Sequence, residues 1–233
     1  MKSFPAKEGP YPVRLIYEPQ EIDLICEDAL RTEKLLPKTP EPIKVDLFLE
    51  RYFRVRLAYE DLGTEIMGCT VFNTTGAVTG FIISTRIEED GKKSSERRAR
   101  STIAHEGGHG LLHSRLFMAD TSTGSIFGKT QPQQPKIMCR PTDIRAAGSN
   151  AKAYDGKWWE WQANRAIAGL LLPKKLVHTC VSDLLISKGI TPELPATKKA
   201  EAENLLADTF DVNPVVARIR LQEMFPVSAQ IFL

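Results

Sequence analysis

Ten residues, Ala104-His-Glu-Gly-Gly-His-Gly-Leu-Leu-His113, constrain this chain more than any others. Each of the three glycines costs about 1 kcal/mol relative to alanine in a helix interior, so a helix through them needs tertiary packing to hold it. Its side-chain-free positions let something lie close against it. Ile103 and Ala104 before the first histidine, and Leu111 and Leu112 after the second, agree with a buried helix. His105 and His109, four residues apart, then leave one face roughly 6 Å from each other and can converge on one ion. Glu106 projects beside them, where its carboxylate can take a proton from a water polarised by that ion instead of ligating it. Zinc suits such a site, because it is redox-inert and takes imidazole and carboxylate ligands. The string HExxH also arises by chance as polar helix surface, so its context has to carry the argument.

A third ligand is needed. His113 lies eight residues beyond His105, about 12 Å of helical rise, and cannot reach the same ion on a straight helix. The metzincin pattern fails as well, since it needs glycine and histidine where this chain has Leu112 and Arg115. Asp120, Asp143 and Asp155 fall in loop-like sequence, whereas Glu160 shares a helical stripe with Asn164, Ile167 and Leu171. A carboxylate on that stripe is expensive to bury unpaired. It equally fits a first-turn glutamate favoured by the helix dipole.

Around these motifs, Ile22, Ile25, Cys26, Ala29 and Leu30 recur at three- and four-residue spacing and predict a helix, closed by Pro37, Pro40 and Pro42. A second helix is expected over 45–53. Segments 54–59, 66–72 and 77–84 are β-prone, the last two joined by the turn Asn73-Thr-Thr-Gly76, and predict a small antiparallel sheet. The charged stretch 88–100 opens as a turn and leads into the histidine helix, with Ser94 or Ser95 as N-cap and an end near Phe117. A solvated loop and helix start explains its basic residues, so no site is assigned there. Residues 118–156 are polar and too long for a plain connection, which suggests an insertion or lid. Further helices are expected over 157–172, 174–186, 197–210 and 212–224.

The 233 residues are 42% hydrophobic and 26% charged, which supplies a sizeable core and excludes disorder. With 31 basic against 29 acidic residues the net charge is +2, so no global field points to nucleic acid or an anionic membrane. The opening MKSFPAKEGPYP holds no apolar run of signal-peptide length, and the longest such run, 166–172, is far short of the roughly 20 residues of a membrane span. Four cysteines without a Cys-x-x-Cys pair signal neither a disulfide framework nor a thiolate zinc cluster. A cytoplasmic setting is the expectation.

Taken together, Arg100 to His109 (RSTIAHEGGH), Leu111-Leu112-His113 and the segment Glu160 to Pro173 (EWQANRAIAGLLLP) resemble the ImmA/IrrE-type metallopeptidases, a gluzincin-like family. Ile66-Met-Gly68 and 206–221 match more weakly, and the resemblance covers about residues 20–222 in outline. It implies His105, His109 and Glu160 as ligands of one zinc per chain and Glu106 as the catalytic acid/base. The chain departs from the family at Ser101, Gly107 and Leu172, and in the length of the segment between His109 and Glu160. Cys139 lies in that segment; a buried free cysteine is the common reading, a thiolate masking the zinc the alternative.

These readings predict an α+β, zincin-like metallopeptidase domain. Residues 1–18 form an extended lead-in, 19–175 the peptidase domain with 118–156 as insertion, and 176–233 a helical subdomain packed on it. The resemblance implies cleavage of a protein or peptide substrate such as a separately encoded transcriptional repressor. A metal-bound regulatory module with little turnover, or a DNA-binding regulator using the C-terminal helices with Arg218 and Arg220, is the alternative; the balanced charge makes direct nucleic-acid binding the lesser expectation. His178, Tyr154 and Tyr59 are candidate oxyanion stabilisers, and 77–84 is the expected sheet edge for an extended substrate.

Overall fold

The computed structural model describes residues 1–6, 10–118, 135–145, 156–188 and 191–226. Strands β1 (Lys2–Pro5) and β2 (Val13–Ile16) form an antiparallel hairpin, so the lead-in is a paired ribbon and more than an extended segment. Helices α1 (Pro19–Thr32) and α2 (Val45–Phe53) follow and bury Ile22, Cys26, Leu30, Phe48 and Leu49. Their apolar stripes explain why both helices form where the periodicity places them.

Strands β3 (Leu57–Glu60), β4 (Gly68–Phe72) and β5 (Val78–Ser84) come next, then the long helix α3 (Lys93–His113). Past α3 lie β6 (Lys136–Cys139), the short helix α4 (Pro141–Arg145) and α5 (Trp158–Leu171). Helix α6 (Lys174–Cys180), the strand pair β7 (Ile186–Lys188) and β8 (Thr191–Glu193), α7 (Lys199–Thr209) and α8 (Pro214–Met224) complete the order. The architecture is α+β. The helix expected over 174–186 stops at Cys180, and the one expected to reach Phe117 ends at His113 in a 3-10 turn over Ser114–Phe117. The N-cap of α3 is Lys92, with the two serines inside its first turn.

The main sheet has four strands in the order β3-β5-β4-β6. β4 pairs antiparallel with both neighbours, but β3 runs parallel to β5, so the sheet is mixed. This overturns the reading of 77–84 as a free edge. Ile82 lies between Ala58 on one side and Cys69 on the other, which leaves it no backbone to offer a peptide. Strand β6, which covers the far edge of β4, comes from the 118–156 segment.

One hydrophobic cluster runs from Ile22 and Phe48 through Phe81, Ile103 and Ile167 to Leu206, Phe210 and Leu221, so the C-terminal helices share the core of the remainder. Polar clamps fix them further. Arg97 on α3 pairs with Asp208 and Asp211, while Arg100 donates to the carbonyls of Asp211 and Ile43. Arg220, fully buried, meets Asp23 at 2.8 Å and donates to the Leu172 carbonyl. Arg218 is paired with Glu203, so the two arginines expected on a DNA-reading face are both engaged within the fold. No helix among the described residues is long and apolar enough to cross a membrane.

Candidate metal centre

The glycines of α3 allow the close packing that buries the motif. A Cβ on Gly108 would lie 2.7 Å from the Ala166 Cβ of α5, and one on Gly110 would lie 2.7 Å from the Phe53 ring. Helices α3 and α5 therefore cross nearly backbone to backbone, and the cost of glycine is offset by that approach. The crossing sets Glu160, in the first turn of α5, against His105 and His109.

His105 Nε2 lies 3.1 Å from Glu160 Oε2 and 3.0 Å from His109 Nε2, which is itself 3.5 Å from the same carboxylate oxygen. Both imidazoles are wholly buried and Glu160 nearly so. The other ring nitrogens are anchored outward. His105 Nδ1 faces Asn164 Oδ1 at 3.1 Å, and Asn164 Nδ2 donates to the Asp143 carbonyl at 2.6 Å. An amide oxygen only accepts, so His105 carries a proton on Nδ1.

His109 is held by a longer relay. Its Nδ1 lies 2.9 Å from His113 Nδ1, His113 Nε2 lies 3.0 Å from Gln162 Oε1, and Gln162 Nε2 donates to the Leu15 carbonyl at 2.8 Å. The directions propagate along the chain of contacts. The Leu15 carbonyl makes Gln162 an amide donor there, its Oε1 takes the His113 Nε2 proton, and His113 Nδ1 accepts from His109. Burial pushes His113 down to about 3, consistent with a neutral ring. His113 thus lies outside the converging donors, as its distance along the helix requires, but it orients His109, which is one of them.

Two imidazole lone pairs and a carboxylate oxygen are left pointing at one another, an arrangement only a cation can stabilise. Burial alone would raise the Glu160 carboxyl, yet His109 and His105 hold it well below the usual carboxylate range. His105 is raised well above its ordinary value against the effect of burial, with Cys139 and Glu160 as the causes. A metal ion fits the same place. The donor atoms of His105, His109 and Glu160 lie within 4.8 Å of one another, as do those of His105, Glu106 and Cys139, and these buried residues could hold a metal ion.

Glu106 is wholly buried beside the pair, its Oε2 accepting from Thr70 Oγ1 at 2.5 Å. Thr70 also donates to the Glu106 carbonyl. Its Oε1 has no partner, and a Cβ on Gly68 would reach within 2.7 Å of it. Burial pushes the Glu106 carboxyl up to about 8. The set therefore offers three donors for a cation and one strongly proton-attracting carboxylate next to them.

Of the expected oxyanion stabilisers, Tyr154 lies outside the described residues. Tyr59 is half exposed on β3, at the sheet edge opposite β6, and His178 is exposed on α6 with its ring against Phe225. Neither joins the cluster. Tyr11 lies closer: burial, and then the Glu160 charge, raise its phenol far above the ordinary value. Tyr11, Thr70 and Gln162 carry no signal in the sequence, since none of them shares a helical stripe with the histidines. His113 and Asn164 could have been placed as supports, because each follows a proposed ligand by four residues. Asp143 also belongs to the site's support, through its carbonyl and its ion pair with Lys157. No protein-family model matches the chain, and no curated protein matches it.

Proposed function

We propose that this protein is a zinc-dependent metallopeptidase with a zincin-like domain, acting on a protein or peptide such as a transcriptional repressor. The observation that carries this reading is the convergence of the bare Nε2 atoms of His105 and His109 on Glu160, with the unpartnered Glu106 Oε1 beside them. Zinc is the preferred ion because two imidazoles and a carboxylate leave one position of its tetrahedral sphere open, the pattern of catalytic zinc sites.

When bound, zinc supplies Lewis acidity that polarises a scissile carbonyl and lowers the pKa of water toward about 7. The protein supplies the rest. Asn164 and the His113–Gln162 pair fix the tautomers and planes of the two histidines. Thr70 holds one oxygen of Glu106, leaving Oε1 free to take a proton from the attacking water and return it to the departing amine.

The test is Glu106→Gln, which keeps the shape and removes the basic carboxylate. It is expected to retain one zinc per chain and to lose cleavage of candidate repressors, read as fragments by mass spectrometry, by a factor of at least about 100. Wild-type cleavage by this variant overturns the assignment of the general base. Zinc retained in both proteins, with no cleavage by either, points to a metal-bound regulatory module.

A further inference from the structure

Resting on the metal-centre reading above, we propose that Cys139 is a fourth protein ligand and that β6, which carries it, stands where a substrate strand would lie, so that the described fold is a latent form of the site. β4 is the strand that positions the general base, through Thr70 and through Gly68 packed on the Glu106 carboxylate. One edge of β4 is taken by β5. The other is where an extended peptide would add its backbone hydrogen bonds beside Glu106, the common mode of peptide capture at a sheet. That edge is already occupied by the chain itself. Residues Lys136–Cys139 pair with it antiparallel in the register Val71↔Lys136, Thr70↔Ile137, Cys69↔Met138 and Gly68↔Cys139.

The register brings the sulfur to the reacting centre. Cys139 sits opposite Gly68, at the level of Glu106, is wholly buried, and lies within 4.8 Å of the donor atoms of both His105 and Glu106. The attacking water must sit between the metal ligands and Glu106, so this sulfur competes for that room. Thiolate is also a strong zinc ligand; the sulfur groups with His105 and Glu106 and not with the His109 and Glu160 donors, so binding draws it toward them to close a four-ligand sphere. The strand is pinned at this end: Met67 N donates to the Cys139 carbonyl at 2.9 Å, and Arg140 N donates to Asp143 Oδ2. Asp143 in turn accepts from Asn164, the residue that orients His105. Strand, sulfur and ligand helix are therefore one connected unit. On binding, the thiol gives its proton to solvent as the sulfur–metal bond forms. In the reverse exchange a water takes the position and the sulfur leaves protonated, with no change of oxidation state.

The test uses the full chain loaded with cobalt(II), whose spectrum reports ligands without turnover. Wild type is expected to show visible ligand-field bands and an intense near-ultraviolet sulfur-to-cobalt band. Cys139→Ala should lose the second, keep the first, bind the metal at least about tenfold more weakly, and, with zinc, cleave at least tenfold faster. Cys139→Ser, nearly the same size, serves if the alanine variant fails to fold. Visible bands without a near-ultraviolet band in wild type, or a near-ultraviolet band that survives both variants, overturns the sulfur ligand and leaves the metal site standing. An absence of visible bands that depend on His105 and Glu160 overturns the metal reading itself.

Discussion

Replacing His113 with phenylalanine isolates the relay behind His109 without opening a cavity. In the native protein the His109 Nδ1 proton points at His113 Nδ1, 2.9 Å away, and all of these ring atoms are sealed from solvent. The phenyl ring offers no acceptor. Without metal, His109 can move its proton to Nε2 and give it to Glu160, 3.5 Å off, and the donor that Gln162 Oε1 loses is lost equally with and without metal. With metal, Nε2 must stay bare, and the proton is trapped on Nδ1 against a hydrocarbon. The full cost of an unsatisfied buried donor, about 1–3 kcal/mol, therefore falls on the loaded state alone. At tenfold per 1.4 kcal/mol this weakens zinc about 5- to 150-fold. Chelator-competition titration of folded wild type and variant measures it directly. Affinities within twofold of each other would refute the relay and return His113 to the bystander role that its distance along the helix suggests.

Glu160→Ala removes a proposed ligand and should lower zinc occupancy far more than His113→Phe does, read by metal analysis after gel filtration. Gly108→Ala forces a methyl to within 2.7 Å of Ala166 at the α3–α5 crossing; it should cost about 1–3 kcal/mol of stability, read as a fall in melting temperature, with an unchanged temperature arguing against the tight crossing. Asp23→Asn strands the buried Arg220 and nearby Arg165, for a loss of about 3 kcal/mol in chemical denaturation. The Asp23 carboxyl is lowered in the fold by Arg220, Lys174 and Arg165 against the pull of burial. Its contribution is therefore present above the unfolded pKa of about 4 and lost as pH falls through the lower folded value. The gap between wild type and Asp23→Asn should narrow below about pH 4, and a gap that stays constant with pH would exclude this origin.

By itself the sequence determined whatever depends on spacing along one element. Helical periodicity puts His105, Glu106 and His109 on a common turn, marks the glycines as a demand for close packing, and places Glu160 and Asn164 on one stripe. The same rule locates α1, α2 and α5, because an amphipathic stripe is written in consecutive residues. Tertiary structure decided what lies between elements. Thr70 meets Glu106 across 36 residues, Asn164 meets His105 across 59, and Leu15 closes the relay across 147. Alternation along a strand says which face is buried and nothing about which neighbour it pairs with, so the parallel β3–β5 pairing was not legible and 77–84 read as an edge. For the same reason Cys139 read as an ordinary buried thiol. Only the pairing of β6 on β4, made by a segment whose composition is that of a loop, carries its sulfur beside His105 and Glu106.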